Sequence, residues 1–98
     1  MATIPVELLE QLRLLEAWEV VEEHHLHRTL RFQDFASALA WVNRAGAVCE
    51  AHLHHADFLL RWGSVRVEIF THDSGGLTAA DLRLAQALDG LPQEGGLP

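Results

Sequence analysis

The densest group of reactive side chains occupies the eight-residue segment 50–57. It contains the carboxylates Glu50 and Asp57 and the imidazoles of His52, His54 and His55. An unperturbed imidazole has a pKa of about 6.5, so histidine is well suited to exchange protons near neutral pH. Acid–base catalysis is therefore one interpretation of the segment. A solvated helix end is another, because the helix dipole favours histidines there. A metal site is a third, although the segment has neither H-E-x-x-H spacing nor a cysteine.

His72 is a further candidate, at the end of a run in which apolar and polar residues alternate. Val65, Val67 and Ile69 share one face of the predicted strand, because successive side chains of a strand point to opposite faces. His72 is out of phase with these three residues. We therefore expect it to project from the open face of the sheet, away from the core.

Asp81 has a structural interpretation that needs no site. Thr78 and Asp81 have the capping-box spacing, in which a hydroxyl caps the helix and an acidic side chain three residues later bonds back to the cap. The residues around Asp81, taken by themselves, favour this role.

Hydropathy patterns predict three helices and two β-hairpins that position these residues. The first helix has Thr3 as its cap and Pro5 in its first turn, and Gly63-Ser64 forms the turn of the second hairpin. Helices are expected over 3–16, 34–50 and 79–88, and strands over 18–23, 26–32, 58–62 and 65–71.

The central helix carries an apolar face at spacings of three and four. That face consists of Phe35, Leu39, Val42, Gly46 and Cys49. Cys49 is accordingly interpreted as a small core residue rather than a nucleophile. The three histidines of the first hairpin, His24, His25 and His27, are interpreted as surface residues.

The element order α-β-β-α-β-β-α predicts an α+β fold. Strands joined by short turns form antiparallel pairs, and three amphipathic helices need one shared apolar surface. We expect two layers, a four-stranded antiparallel sheet with all three helices on one face. The 98 residues predict a single domain over 1–90 and a flexible Gly- and Pro-rich tail over 91–98.

Composition excludes several classes of function. Fourteen acidic residues against seven arginines, with no lysine, give a net charge of −7. Binding to nucleic acid or to an anionic membrane needs clustered cations, so neither is expected. No apolar run reaches the roughly 20 residues of a membrane span, and the N-terminus has no secretory signal pattern. One cysteine forms no intrachain disulfide, which fits a cytoplasmic location.

Residues 32 to 88 resemble the pterin-4a-carbinolamine dehydratase family. The family signature is an acidic residue, a His-His-Pro triplet, an aromatic residue, a Thr-His pair and an aspartate. The matching residues here, at the family's spacing, are Glu50, His54-His55-Ala56, Trp62, Thr71-His72 and Asp81.

The resemblance implies a hydro-lyase that needs no metal or redox cofactor. Family members dehydrate 4a-hydroxytetrahydropterin, which aromatic amino-acid hydroxylases produce, to quinonoid dihydropterin. His54 and His72 are then the proton-handling pair, His55 orients the pterin, and Glu50 fixes an imidazole tautomer. Asp81 gains a site role beside its capping role. The positions that match the family's pterin-lining residues are Leu53, Phe70, Thr71 and Asp73, and Trp62 adds stacking surface.

Family members also assemble as dimers and tetramers, and a sheet of four short strands has an exposed edge to protect. A homodimer or homotetramer is therefore expected. Ala56 and Phe58 stand where the family has Pro and Trp, which leaves open a non-catalytic assembly or regulatory module. A histidine-rich metal-binding domain is the remaining alternative.

Overall fold

An antiparallel sheet forms one layer of the molecule and three helices form the other. The computed structural model describes residues 4–98, so Thr3, the predicted cap, lies outside the described part. Within these residues, no helix is long and apolar enough to cross a bilayer. The elements are α1 (Val6–Arg13), β1 (Glu19–Val21), β2 (His25–Phe32), α2 (Phe35–His52), β3 (Asp57–Arg61), β4 (Ser64–Ile69), α3 (Ala79–Asp89) and β5 (Gly96–Leu97).

The two hairpins meet at the centre of the sheet, whose strands lie in the order β1-β2-β4-β3. Leu26 of β2 lies opposite Ile69 of β4, and Leu30 lies opposite Val65. All four side chains are buried. This register turns the apolar faces of both strands toward the helices, and the predicted α+β class is confirmed.

α2 packs on the sheet with a different face from the predicted one. Phe35 and Leu39 are 42% and 40% exposed, so the prediction is wrong at these two residues. The Trp41 ring accounts for the orientation, since it contacts the rings of Phe32 and Phe58 at centroid distances of 6.4 and 6.2 Å and a buried aromatic ring dominates local packing energy. The buried residues of α2 are Ala38, Trp41, Ala45 and Cys49.

Several predicted boundaries shift by one to three residues. α1 begins at Val6, directly after Pro5, rather than at residue 3. The turn of the second hairpin is Trp62-Gly63, one residue earlier than predicted, because Arg61 pairs with Ser64. α2 extends two residues further than predicted, to residue 52, which brings its end next to the histidine pair.

Residues 91–98, predicted as a flexible tail, include the short strand β5. Its residues pair with Arg31 and Phe32 of β2. The Gln33 N–H donates to the carbonyl of Gly95 at 2.8 Å. The mobility of this segment in solution, and a domain limit at residue 90, stay predictions.

Candidate active site

A cavity of about 300 Å³ lies where the C-terminal end of α2 meets the loop that follows β4. Two larger cavities lie elsewhere, one of about 370 Å³ over β3–β4 and one of about 560 Å³ beside α1. Among residues 4–98, no histidine lines either of them. The smaller cavity is therefore the candidate site. It is lined by Leu53, His54, His55, Thr71, His72 and Asp73.

The end of α2 places two histidines beside this cavity. Leu53 has a φ of 51°, a left-handed conformation that costs a residue with a side chain about 1–2 kcal/mol. The N–H of His54 donates to the carbonyl of Cys49 at 3.2 Å. The chain therefore leaves the helix abruptly, and His54 and His55 follow directly. Leu53 itself is exposed at the cavity.

Asp81 is the one fully buried charged side chain in residues 4–98. Its Oδ2 accepts a hydrogen bond from the backbone N–H of Thr78 at 2.7 Å and another from the hydroxyl of Thr71 at 2.7 Å. A buried carboxylate needs such donors, because burial of an unpaired charge is costly. Asp81 therefore caps α3, as its spacing from Thr78 predicts.

The same carboxylate also binds a histidine. Oδ1 of Asp81 lies 2.6 Å from Nε2 of His54, although the two residues are 27 positions apart in the chain. One side chain thus holds a helix terminus with one oxygen and an imidazole with the other. Because an ionised carboxylate only accepts hydrogen bonds, Nε2 carries the proton and Nδ1 is left to exchange one.

A second carboxylate–imidazole pair lies on the outer side of the cavity. Oε2 of Glu50 bonds Nε2 of His55. Glu50, which the family resemblance implies fixes an imidazole tautomer, thus bonds the imidazole of His55. Both side chains are exposed, so solvent competes with this contact.

His72 comes from a tight loop after β4. Thr71 and Gly76 form an isolated antiparallel bridge, and the Ser74 hydroxyl donates to the carbonyl of Gly76 at 2.6 Å. The chain turns back at Gly75, whose φ of 71° suits a residue without a side chain. β4 ends at Ile69, two residues earlier than predicted, so His72 lies in this loop and not on the strand. Its side chain is exposed, as predicted.

Two predicted pterin-binding residues lie outside the cavity walls. Phe70 is half-buried, and its ring contacts that of His72 at a centroid distance of 4.3 Å. Trp62 is 69% exposed in the turn at the opposite end of β4. Since β4 has six residues, roughly 20 Å of strand separates Trp62 from Thr71. A single chain therefore does not bring Trp62 to this cavity, and its role in pterin binding stays a prediction.

Two other interpretations of the sequence concern Cys49 and metal ions. Burial raises the pKa of the Cys49 thiol, and the residue packs in the core cluster as predicted.

Among residues 4–98, no three side chains of His, Cys, Asp or Glu are arranged to hold a metal ion. The metal-binding alternative therefore has no preformed ligand set in this part of the chain.

His24 makes a contact beside the site that the sequence did not predict. It is exposed, as predicted, but its ring also stacks on Phe70 with ring centroids 5.6 Å apart and an interplanar angle of 26°. Its local sequence contains no sign of this contact, because the partner lies on another hairpin.

The chain matches a family model described as pterin 4 alpha carbinolamine dehydratase over residues 4–91. This range includes all three helices, four of the five strands and every residue that lines the cavity.

Curated relatives are similar over most of their length. A protein of Rubrobacter xylanophilus is 46% identical over 86 residues, which are 87% of this chain and 80% of that protein. A protein of Nostoc punctiforme is 40% identical over 82 residues, 84% of this chain and 87% of that protein. Both bear the name "Putative pterin-4-alpha-carbinolamine dehydratase".

A solved structure has the same fold. The crystal structure of a transcriptional coactivator/pterin dehydratase from Brucella melitensis superposes with a TM-score of 0.79. The sequences are 27% identical, and the match covers 91% of this chain and 96% of that one.

Proposed function

The chain belongs to the pterin 4 alpha carbinolamine dehydratase family, and we propose that it dehydrates 4a-hydroxytetrahydrobiopterin to quinonoid dihydropterin by histidine acid–base catalysis. One observation carries the proposal. His54, His55 and His72 converge on a single cavity, and a buried carboxylate binds the first of them.

The chemistry matches what imidazoles supply. The C4a–O bond breaks, the departing hydroxyl takes one proton and leaves as water, and a ring nitrogen of the pterin loses one proton. Atoms and charge balance without an oxidant, a reductant or a covalent intermediate. General acid–base groups typically accelerate such steps by about 10²–10⁴-fold. Pterin is the substrate in this scheme, and no cofactor is required.

His54 and His72 are the proposed proton-handling pair. They belong to different segments of the chain and border the same cavity, so each can serve one face of the pterin ring. The Asp81 carboxylate holds Nε2 of His54, which leaves Nδ1 to accept a proton from the substrate or to donate one to it. Each of the two stereoisomers of the 4a-hydroxyl then depends more strongly on one histidine.

The remaining residues of the cavity are proposed to bind the substrate. The imidazole of His55, held by Glu50, orients the pterin. Leu53 offers an exposed apolar side chain at the cavity, and Thr71 and Asp73 border its other side. The substrate is the product that an aromatic amino-acid hydroxylase releases, and its dehydration gives the quinonoid dihydropterin, which a separate two-electron reduction must convert back to tetrahydropterin.

The direct test is a dehydration assay with freshly generated 4a-hydroxytetrahydropterin. We expect the protein to accelerate the loss of water well above the spontaneous rate, and His54→Ala to lower that acceleration strongly. A rate equal to the spontaneous one, with correctly folded protein, would contradict the proposed activity.

A second candidate role is assembly, supported by the outer face of α2. Phe35 and Leu39 are two large apolar side chains on this face that remain about 40% exposed. We propose that a second copy of the chain covers them in a homodimer or homotetramer. Leu39→Glu should lower the mass measured by analytical ultracentrifugation. A monomeric mass for the unaltered protein would contradict this proposal without affecting the proposed chemistry.

A further inference from the structure

Few contacts hold the His72 side chain in place, although it is proposed to be a catalytic group. It is exposed, and it lies in a loop rather than in a helix or strand. In the described part of the chain its imidazole forms no side-chain hydrogen bond, whereas His54 is held by Asp81. The contact that orients the His72 ring is with Phe70, at a centroid distance of 4.3 Å.

Phe70 is itself held by a residue from the other hairpin. The imidazole of His24 stacks on it with a centroid distance of 5.6 Å and an interplanar angle of 26°. Stacked and tilted rings at these distances attract each other. His25 in turn contacts the edge of His24 at 5.4 Å, and their Nδ1 atoms lie 3.2 Å apart. Four rings therefore run in sequence from the β1–β2 turn to the cavity.

The turn that presents His24 has an unfavourable backbone conformation. Glu22 and Glu23 both have positive φ angles, of 53° and 55°, where glycine and asparagine are the preferred residues. The N–H of His24 closes the turn by donating to the carbonyl of Val21 at 2.9 Å. Strain of this kind persists where surrounding structure enforces it, and it clusters at functional sites.

A second contact joins this turn to the loop that carries His72. The backbone N–H of Leu77 donates to the carbonyl of Glu23 at 3.4 Å. Leu77 is buried and lies between the loop and α3. The β1–β2 turn therefore touches the loop at two places, through a ring stack before His72 and through a backbone contact after it.

From these contacts we infer that the β1–β2 turn positions His72, with His24 as the positioning residue that acts through Phe70. This inference rests on the proposed dehydratase function, in which His72 handles a proton. His24 does not line the cavity, so it has no direct role in the reaction. The β1–β2 turn would then be a third segment of the chain that holds the site in place, after the end of α2 and the loop that follows β4.

Activity measurements test the inference with two variants of one residue. His24→Ala should lower kcat several-fold with little change in KM, because the ring of His72 loses its fixed orientation. His24→Phe keeps an aromatic ring for stacking and should restore kcat to within about twofold of the parent. His27→Ala is the matched control, because His27 bonds Thr29 and faces Glu19 on the open face of the sheet.

A double-mutant cycle separates positioning from general destabilisation. In a His72→Ala background, His24→Ala should cause no further loss of turnover, since His24 acts through His72. Losses that multiply, an unchanged kcat in His24→Ala, or a failure of phenylalanine to rescue would each overturn the inference.

A spectroscopic test does not depend on activity. The Phe70 ring next to His72 should shift the proton resonances of that imidazole away from their values in an isolated histidine. His24→Ala should move them back toward those values, and His24→Phe and His27→Ala should not. If the parent protein has no dehydratase activity but these shifts occur, the proposed function fails and the positioning contact stands. Unmoved resonances in His24→Ala would overturn the contact itself.

Discussion

Two histidines that line the cavity, His54 and His55, each bond a carboxylate, and the two carboxylate–imidazole pairs differ in their access to water. In the Asp81–His54 pair the side chains are 0% and 16% exposed, whereas in the Glu50–His55 pair they are 75% and 60% exposed. The first pair joins α3 to the end of α2, so it is a tertiary contact. The second joins residues five positions apart at the end of one helix.

The same chemical contact has different consequences in these two places. Charges interact more strongly where water is excluded, and Asp81 is additionally fixed by donors from Thr71 and Thr78. Exposed ion pairs contribute at most about 1 kcal/mol, because water and salt screen them. We conclude that the buried pair fixes the tautomer and orientation of His54, whereas the exposed pair holds the imidazole of His55 less firmly.

The largest expected effect comes from removing the proposed proton-handling histidines. His54→Ala or His72→Ala alone should lower turnover by about 10²–10⁴-fold, the range of general acid–base catalysis, and unevenly for the two substrate stereoisomers. The double variant should approach the uncatalysed rate. Turnover is measured separately with each stereoisomer, and circular dichroism checks the fold.

The control for these variants is His27→Ala, which should behave like the parent because His27 bonds Thr29 and does not line the cavity. Parental turnover in both His54→Ala and His72→Ala would show that neither histidine carries the chemistry.

The next largest effect tests the buried pair through Asp81. Asp81→Ala removes the acidic side chain of the capping box of α3 and should lower the free energy of unfolding by at least about 0.5–2 kcal/mol. Asp81→Asn keeps one oxygen that can accept from the Thr78 N–H, but its amide group no longer accepts from Nε2 of His54. A hydrogen bond to a charged group contributes roughly 1.5–3 kcal/mol. Turnover should therefore fall about 10- to 100-fold in the asparagine variant. Its melting temperature should stay near that of the parent, because the bond to the Thr78 N–H remains.

Asp57→Asn, a change at an exposed carboxylate on β3, is the matched control for Asp81→Asn. Normal kinetics in Asp81→Asn, together with a lowered melting temperature in Asp81→Ala, would reduce Asp81 to a helix-capping residue.

A smaller effect is expected at the exposed pair. Glu50→Gln should change turnover less than about fivefold, because a solvent-exposed ion pair contributes at most about 1 kcal/mol. The difference between Glu50→Gln and the parent should shrink further at 1 M salt, where the Debye length is about 3 Å. An effect as large as that of Asp81→Asn, or one that is insensitive to salt, would mean that burial does not distinguish the two pairs.

The smallest effect is expected from chelation. If both pairs act on protons alone, extensive dialysis against a chelator should leave turnover unchanged. The measurement compares untagged protein before and after dialysis, with a metal-dependent enzyme treated in parallel to verify removal. Loss of activity that one particular ion restores would assign the histidines to a metal instead.

Several features were predictable because they depend on neighbours in the sequence. The alternation of Val65, Val67 and Ile69 predicted which face of β4 is buried and that His72 is exposed. The spacing of Thr78 and Asp81 predicted the cap of α3. The grouping of His54, His55 and His72 did not come from neighbouring residues but from the resemblance to the family, and all three line the cavity.

Other features were not predictable from periodicity. α2 is apolar on two sides, so spacing alone did not decide between the face of Phe35 and Leu39 and the face of Trp41. The fit of the Trp41 ring between Phe32 and Phe58 made that choice. Trp62 matched a motif position, but the length of β4 places it at the opposite end of the hairpin from the cavity.

The sequence by itself therefore determined the local structure: which segments form helices and strands, how α3 begins, and which side chains can exchange protons. Only the tertiary structure decided which groups meet. The bond from Asp81 to His54 spans 27 positions, and the stack of His24 on Phe70 joins two different hairpins. Such contacts form when burial of the apolar faces brings the layers together, and local sequence patterns do not encode the resulting distances.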